Sequence, residues 1–152
     1  MFHELRRSDR AMEPADAEKL LRGGEYGVLS TVGEDGYSYG VPLNYVYDDA
    51  CVYFHCAGKG HKLENLRAHP NVSFCVVGAQ KVVPEKLTTQ YESVVLFGTA
   101  AEARGEEKLR ALRLLVEKYA PGTPAPACSE AETAHTAVVR IRVEHLCGKR
   151  SR

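Results

Sequence analysis

Tyr26-Gly27-Val28-Leu29-Ser30-Thr31-Val32, then Gly33-Glu34-Asp35-Gly36, then Tyr37-Ser38-Tyr39-Gly40-Val41-Pro42-Leu43-Asn44-Tyr45-Val46-Tyr47 read as a strand, a tight turn and a second strand. Asp35-Gly36 supplies the left-handed backbone that a short hairpin needs. In the second strand Tyr37, Tyr39, Val41, Leu43, Tyr45 and Tyr47 fall on one side. Ser38, Gly40, Pro42 and Asn44 fall on the other, the period-two pattern of a strand with one buried face. Asp48-Asp49 makes another turn and residues 51–56 a third strand, so an antiparallel meander is expected.

Before this segment, residues 14–22 read as a short helix, with Pro14 at a first helical position and Gly23-Gly24 as a stop. The Arg-rich residues 3–12 read as an extended arm. After the meander, residues 60–68 read as a helix ended by His69-Pro70. Residues 71–77 are a strand, 81–89 a loop, and 90–103 a long strand containing Gly98. Residues 106–119 form the clearest helix, with Leu109, Leu112, Val116 and Tyr119 at helical spacing. Residues 121–132 are a Pro- and Ala-containing loop, and 136–146 a closing strand. The order predicts an α+β, mostly β fold, six antiparallel strands in a barrel or sandwich, as one domain over residues 1–152. No Gly-x-Gly-x-x-Gly follows a strand and no phosphate-loop motif occurs.

Composition narrows the function classes. Lys plus Arg number 20 and Asp plus Glu 20, so no cationic field marks a nucleic-acid binder. No apolar run approaches the ~20 residues that cross a bilayer, and residues 1–17 lack a signal-peptide core, which leads us to expect a cytoplasmic protein with no membrane partner. The cysteines, Cys51, Cys56, Cys75, Cys128 and Cys147, are widely spaced with no Cys-x-x-Cys pair. We expect buried reduced thiols and no metal site.

One stretch concentrates chemistry: His55-Cys56-Ala57-Gly58-Lys59-Gly60-His61-Lys62-Leu63-Glu64-Asn65-Leu66. A strand ends and a helix begins here, and Lys59, His61 and Lys62 crowd the helix N-terminus. Cations there are opposed by the partial positive charge of unpaired N–H groups, by up to about 1 kcal/mol. A bound anion offsets that cost, and helix amides with Lys and His donors make a phosphate cradle. Solvated surface lysines are the plain alternative. Upstream, Pro42 cannot donate to a ladder and Gly40 leaves space beside it, so a flat ring could lie there and read the backbone of Val41, Leu43 and Asn44. An edge strand with nothing bound fits the same residues.

At these residues the chain resembles the nitroimidazole-resistance proteins of the pyridoxamine-phosphate-oxidase-like, FMN-binding superfamily. Arg6-Arg7-Ser8-Asp9-Arg10, the hairpin of residues 26–45, Tyr53-Phe54-His55-Cys56-Ala57, Gly60 to Leu66, Tyr91-Glu92-Ser93-Val94-Val95-Leu96-Phe97-Gly98 and Gly148-Lys149 carry the resemblance in order. It implies a Greek-key split β-barrel homodimer with FMN at the dimer interface. By the resemblance, Lys62 and His61 hold the phosphate, with Lys59, Gly60 and Ala57 around it. Many members carry a basic residue where His61 stands. Val41, Pro42, Leu43 and Asn44 line the ring, His55 is the histidine near the flavin, and Cys56 replaces the usual small hydroxyl residue. Ser93 and Val95 reach the flavin from the facing subunit.

The expected activity is an FMN-dependent oxidoreductase that passes electrons from a donor to a small molecule such as a nitroaromatic, with His55 as the catalytic residue that donates a proton or hydrogen-bonds the substrate. The resemblance also covers non-enzymatic flavin or haem binders that sense redox state, and pyridoxamine phosphate oxidation itself. The last would call for a C-terminal arginine signature, and Arg150 and Arg152 are expected to be mobile.

Overall fold

The computed structural model describes residues 1–123 and 131–152. Helix α1 (Pro14–Gly23) opens the ordered core, with Pro14 in its first turn and Ala17 and Leu21 turned inward. Strand β1 (Gly27–Val32) pairs antiparallel with β2 (Ser38–Leu43) through a hairpin whose Gly36 has φ 81° and whose Asp35 carboxylate accepts the Tyr37 N–H at 3.0 Å. Then follow β3 (Val46–Asp48), β4 (Cys51–Ala57), α2 (His61–Ala68), β5 (Asn71–Val83), β6 (Thr88–Ala103), α3 (Gly105–Tyr119) and β7 (Thr136–Ser151).

The strands form one antiparallel sheet in the order β2-β1-β5-β6-β7-β4-β3. Its two end strands, β2 and β3, are separated in the chain by only Asn44 and Tyr45. The sheet therefore curls until its ends stand side by side, a barrel left open between β2 and β3-β4. The inside holds Leu29, Val52, Phe54, Phe74, Val76, Val94, Leu96, Val139 and Ile141, with Ala17 and Leu21 of α1 and Leu63 and Leu66 of α2 packed into the same cluster. A second cluster lies outside the barrel, where α3 sets Ala111 and Leu115 on Val46, Cys51, Tyr53 and Val138. Glu107 ties α3 to the sheet, accepting from Arg140 at 2.7 Å and from the Tyr53 hydroxyl at 3.1 Å. Gly98 sits at a bulge where any Cβ would come 2.2 Å from the Arg142 carbonyl oxygen.

The structure corrects several expectations. The strand expected over residues 37–47 breaks at Asn44 and Tyr45, which gives seven strands among the described residues and removes the three-strand meander, because there β2 pairs with β1 alone and β3 with β4 alone. Tyr45 and Tyr47 are buried, whereas Tyr37 is 77% exposed. Residues 81–89 continue the β5–β6 hairpin around a short turn, with Leu87 in the left-handed region at φ 48°. The face of α3 is rotated from the one expected. Lys108, Ala111 and Leu115 are buried, because Ala111 allows close approach and the Lys108 ammonium donates to the Thr133 carbonyl at 2.9 Å.

Among the described cysteines only Cys51 is fully buried. Cys56, Cys75 and Cys147 are half-buried and free, and Cys128 lies outside the described residues, as does much of the loop expected over 121–132. The arm is anchored: Met12 donates to the Gly148 carbonyl at 2.9 Å, and Phe2 stacks on Phe97 and His145. Arg150 is held within β7 by Glu92 at 3.1 Å and Asp16 at 3.6 Å. Among the described residues no helix is long and apolar enough to cross a membrane.

Candidate functional site

The opening in the barrel is edged by backbone. Antiparallel pairs alternate between those that exchange hydrogen bonds and those whose N–H and C=O groups point away. Gly33 donates to the Tyr37 carbonyl at 3.1 Å, which fixes the phase of the β1–β2 ladder. Tyr39, Val41 and Leu43 then bond to β1, while Ser38 and Gly40, with the Pro42 carbonyl, present their polar groups to the free edge. This explains why proline is tolerated at 42, where an N–H would have no ladder partner. It also shifts the expected reading groups from Val41 and Leu43 to Gly40 and Pro42. The side chains of Val41 and Leu43 pack inward on the core. Asn44 has left the strand, and its side-chain amide donates to the Glu25 carbonyl at 2.9 Å.

The opposite edge is β4. Gly58 donates to the His135 carbonyl at 3.2 Å, which by the same alternation turns the N–H and C=O of His55 and Ala57 away from β7. Strand β3 covers only Cys51, Val52 and Tyr53, so His55 and Ala57 face the opening. The His55 side chain points outward and is exposed. That of Cys56 points inward among the core residues, where burial pushes its thiol pKa up and the charge of Lys62 opposes the rise.

The first turn of α2 closes one end of this opening. Gly60 caps the helix at φ 138°, a backbone region that glycine tolerates best, and as the N-cap residue it brings no side chain to the first-turn N–H groups. Lys59 and His61 are exposed and Lys62 is half-buried. The His61 ring stacks on Tyr39 with centroids 4.0 Å apart, which links the helix start to β2. Two residues missed at the sequence level fix this geometry. Buried Asn65 donates to Thr31 Oγ1 at 3.0 Å, and Thr31 in turn donates to the Tyr39 carbonyl at 3.5 Å. The signal was available, since Asn65 is a polar residue set between Leu63 and Leu66 on the apolar side of α2.

The structure thus sets Gly40 and Pro42 on one edge of the opening, His55 and Ala57 on the other, and Lys59, Gly60, His61 and Lys62 at its end, where His61 stacks on Tyr39. It does not bring Ser93 and Val95 to them. Val95 lies in a row across the outer face, Pro42-Val28-Cys75-Val95-Cys147, three strands from Pro42 and so about 14 Å away at the usual strand spacing. Ser93 lies one step along, opposite Lys149. Chemically, the opening combines uncapped amides, two lysines and unpaired backbone edges, a donor set suited to a phosphorylated, flat, polar molecule. Among the described residues no cluster could hold a metal ion.

Solved structures share this architecture. A candidate 5-nitroimidazole antibiotic resistance protein from Bacteroides thetaiotaomicron superposes with TM-score 0.80 at 22% identity, over 91% of this chain and 85% of that one. The flavocytochrome Anf3 from Azotobacter vinelandii gives 0.82 at 19% identity, over 99% and 73%. An FAD-binding protein from Mesorhizobium loti gives 0.66 at 25% identity, over 94% and 98%. No curated protein matches the chain in sequence. The model of the family described as pyridoxamine 5'-phosphate oxidase matches residues 13–150, so the chain belongs to that family.

Proposed function

We propose that the protein is an FMN-dependent oxidoreductase that reduces small oxidised molecules, nitroaromatics among them, and works as a homodimer. The observation that carries this reading is the uncapped N-terminus of α2, with Lys59, His61 and Lys62 around it, opening onto the unpaired edges of β2 and β4. Lys62 and the first-turn amides hold the phosphate, and His61 adds a donor while stacked on Tyr39. Gly40, Pro42, His55 and Ala57 offer backbone groups to the polar edge of the ring. A neighbour that binds FAD and another that is a flavocytochrome support a flavin, and the small cradle favours FMN.

FMN supplies the electron chemistry once bound. The chain orients it, shields one face, and presents the exposed His55 imidazole as a proton donor to the reduced substrate. Ser93 and Val95, remote from the opening of their own chain, contribute from a second copy. Purified protein is expected to show the double absorption band of a flavin and to bind FMN in a titration. A strong haem band instead, or no response to FMN, would overturn the reading. His55→Ala is expected to retain flavin and lose about 10²-fold in turnover, the lower end for a general acid. Unchanged turnover with flavin bound would remove the role given to His55.

A further inference from the structure

The crossing from β2 to β3 poses a local problem. Asn44 and Tyr45 belong to neither strand, so their backbone groups, and those of Gly24 and Glu25 beside them, need partners from elsewhere. The C-terminal turn of α3, more than seventy residues away from Tyr45 in sequence, supplies them to Tyr45 and to the Gly24 and Glu25 carbonyls. Lys118 Nζ donates to the Gly24 carbonyl at 2.6 Å and to the Tyr45 carbonyl at 2.9 Å, and sits 4.0 Å from the centroid of the Tyr45 ring. The Tyr119 hydroxyl accepts the Tyr45 N–H at 3.0 Å and lies 2.6 Å from the Glu25 carbonyl oxygen. Asn44 bonds to that same carbonyl. Tyr45 itself is anchored below, its hydroxyl donating to the Leu21 carbonyl.

We infer that Lys118 and Tyr119 are positioning residues for the cofactor: they pin the β2–β3 crossing and so fix where the adjoining edge at Gly40 and Pro42 meets the flavin ring. This rests on the FMN reading above. One end of β2 is fixed by its turn and one side by β1. The side facing the opening has no strand partner, and the Tyr39–His61 stack holds it nearer the turn, so at the Pro42 end the crossing is what fixes that edge. A lysine suits the role because a single head group satisfies two carbonyls while its stem stays packed.

The test is an FMN titration followed by fluorescence and by visible circular dichroism of the bound flavin. It compares wild type, Lys118→Met, Tyr119→Phe and Leu112→Ala. Leu112 packs against the outer cluster on the same helix and, being apolar, takes no part in the hydrogen bonds by which Lys118 and Tyr119 latch the crossing. Lys118→Met and Tyr119→Phe are expected to weaken FMN binding about tenfold, the effect of about 1.4 kcal/mol, and to alter the dichroism. Leu112→Ala is expected to lower the melting temperature and leave affinity and dichroism as in wild type. Wild-type affinity and dichroism in both latch variants would overturn the inference. So would a Leu112→Ala that weakens binding as much as they do, since the effect would then be one of general stability. Failure of wild type to bind FMN is a different result, and it would sink the cofactor reading rather than the latch.

Discussion

At the scale of single residues, the opening sorts its cations by environment. Lys59 and His61 are exposed, whereas Lys62 is half-buried beside Cys56, and a less solvated charge contributes more to anion binding. Lys62→Ala is therefore expected to weaken FMN binding about ten- to a hundredfold, the range for a hydrogen bond to a charged group. Riboflavin, which lacks the phosphate, should bind the variant as it binds wild type. An equal loss for both ligands would show that Lys62 does not meet the phosphate. Lys118 is the other perturbed amine. Burial lowers its pKa from 10.5 to about 8, and the charge of Glu25 opposes the shift. Between those values the unfolded chain holds the proton and the folded one releases it, so folding stability from this group rises as pH increases from about 8 to 10.5 and is flat below. Denaturant unfolding across that window should give wild type a steeper rise than Lys118→Met, which has no amine to titrate at that position. Parallel curves would show that Lys118 titrates as an ordinary surface lysine.

At the scale of elements, what the sequence reveals depends on whether the cause is local. The β1–β2 hairpin is legible because Asp35-Gly36 and the flanking alternation act within a few residues. So are α1, α2 and the basic start of α2. The break at Asn44 and Tyr45 is not legible, because Tyr45 and Tyr47 continue the apolar alternation while their burial comes from β3 leaving one end of the sheet for the other. The rotated face of α3 has the same origin, since Lys108 is buried with its ammonium bonded to the distant Thr133 carbonyl. Within the candidate site, the motif residues of α2 were legible and the groups that aim them were not: Asn65, Thr31 and Tyr39 meet across 34 and 8 residues. That network makes a prediction about the element. Asn65→Leu leaves the Thr31 hydroxyl without its buried donor, which is expected to cost about 1–3 kcal/mol of stability. It also frees α2 from β1, so FMN affinity should fall with stability. Full stability in a thermal melt would show that the helix is placed by Leu63 and Leu66 alone.

At the scale of the molecule, the outer face of β1, β5, β6 and β7 is the feature that a lone chain leaves unexplained. Val28, Cys75, Val95 and Cys147 run across it in register. Val32 is 42% exposed, Val77 58% and Phe97 38%, although Phe97 already carries the arm residue Phe2. Such a face marks an interface more often than a solvated surface. The proposed second copy of the chain answers two needs at once. In the proposed dimer it would cover this face and bring its own Ser93 and Val95 to an opening that lies three strands from them within their own chain. The two needs are coupled, so one substitution tests both. Val95→Glu sets a carboxylate in the middle of the row without touching the barrel interior. It is expected to shift sedimentation from twice the chain mass to one and to weaken FMN binding in the same samples, while the melting temperature of the flavin-free monomer stays near that of its barrel core. Wild-type protein that sediments as one chain and binds FMN tightly would mean that the opening is complete by itself. Ser93 and Val95 would then have no part in holding the flavin.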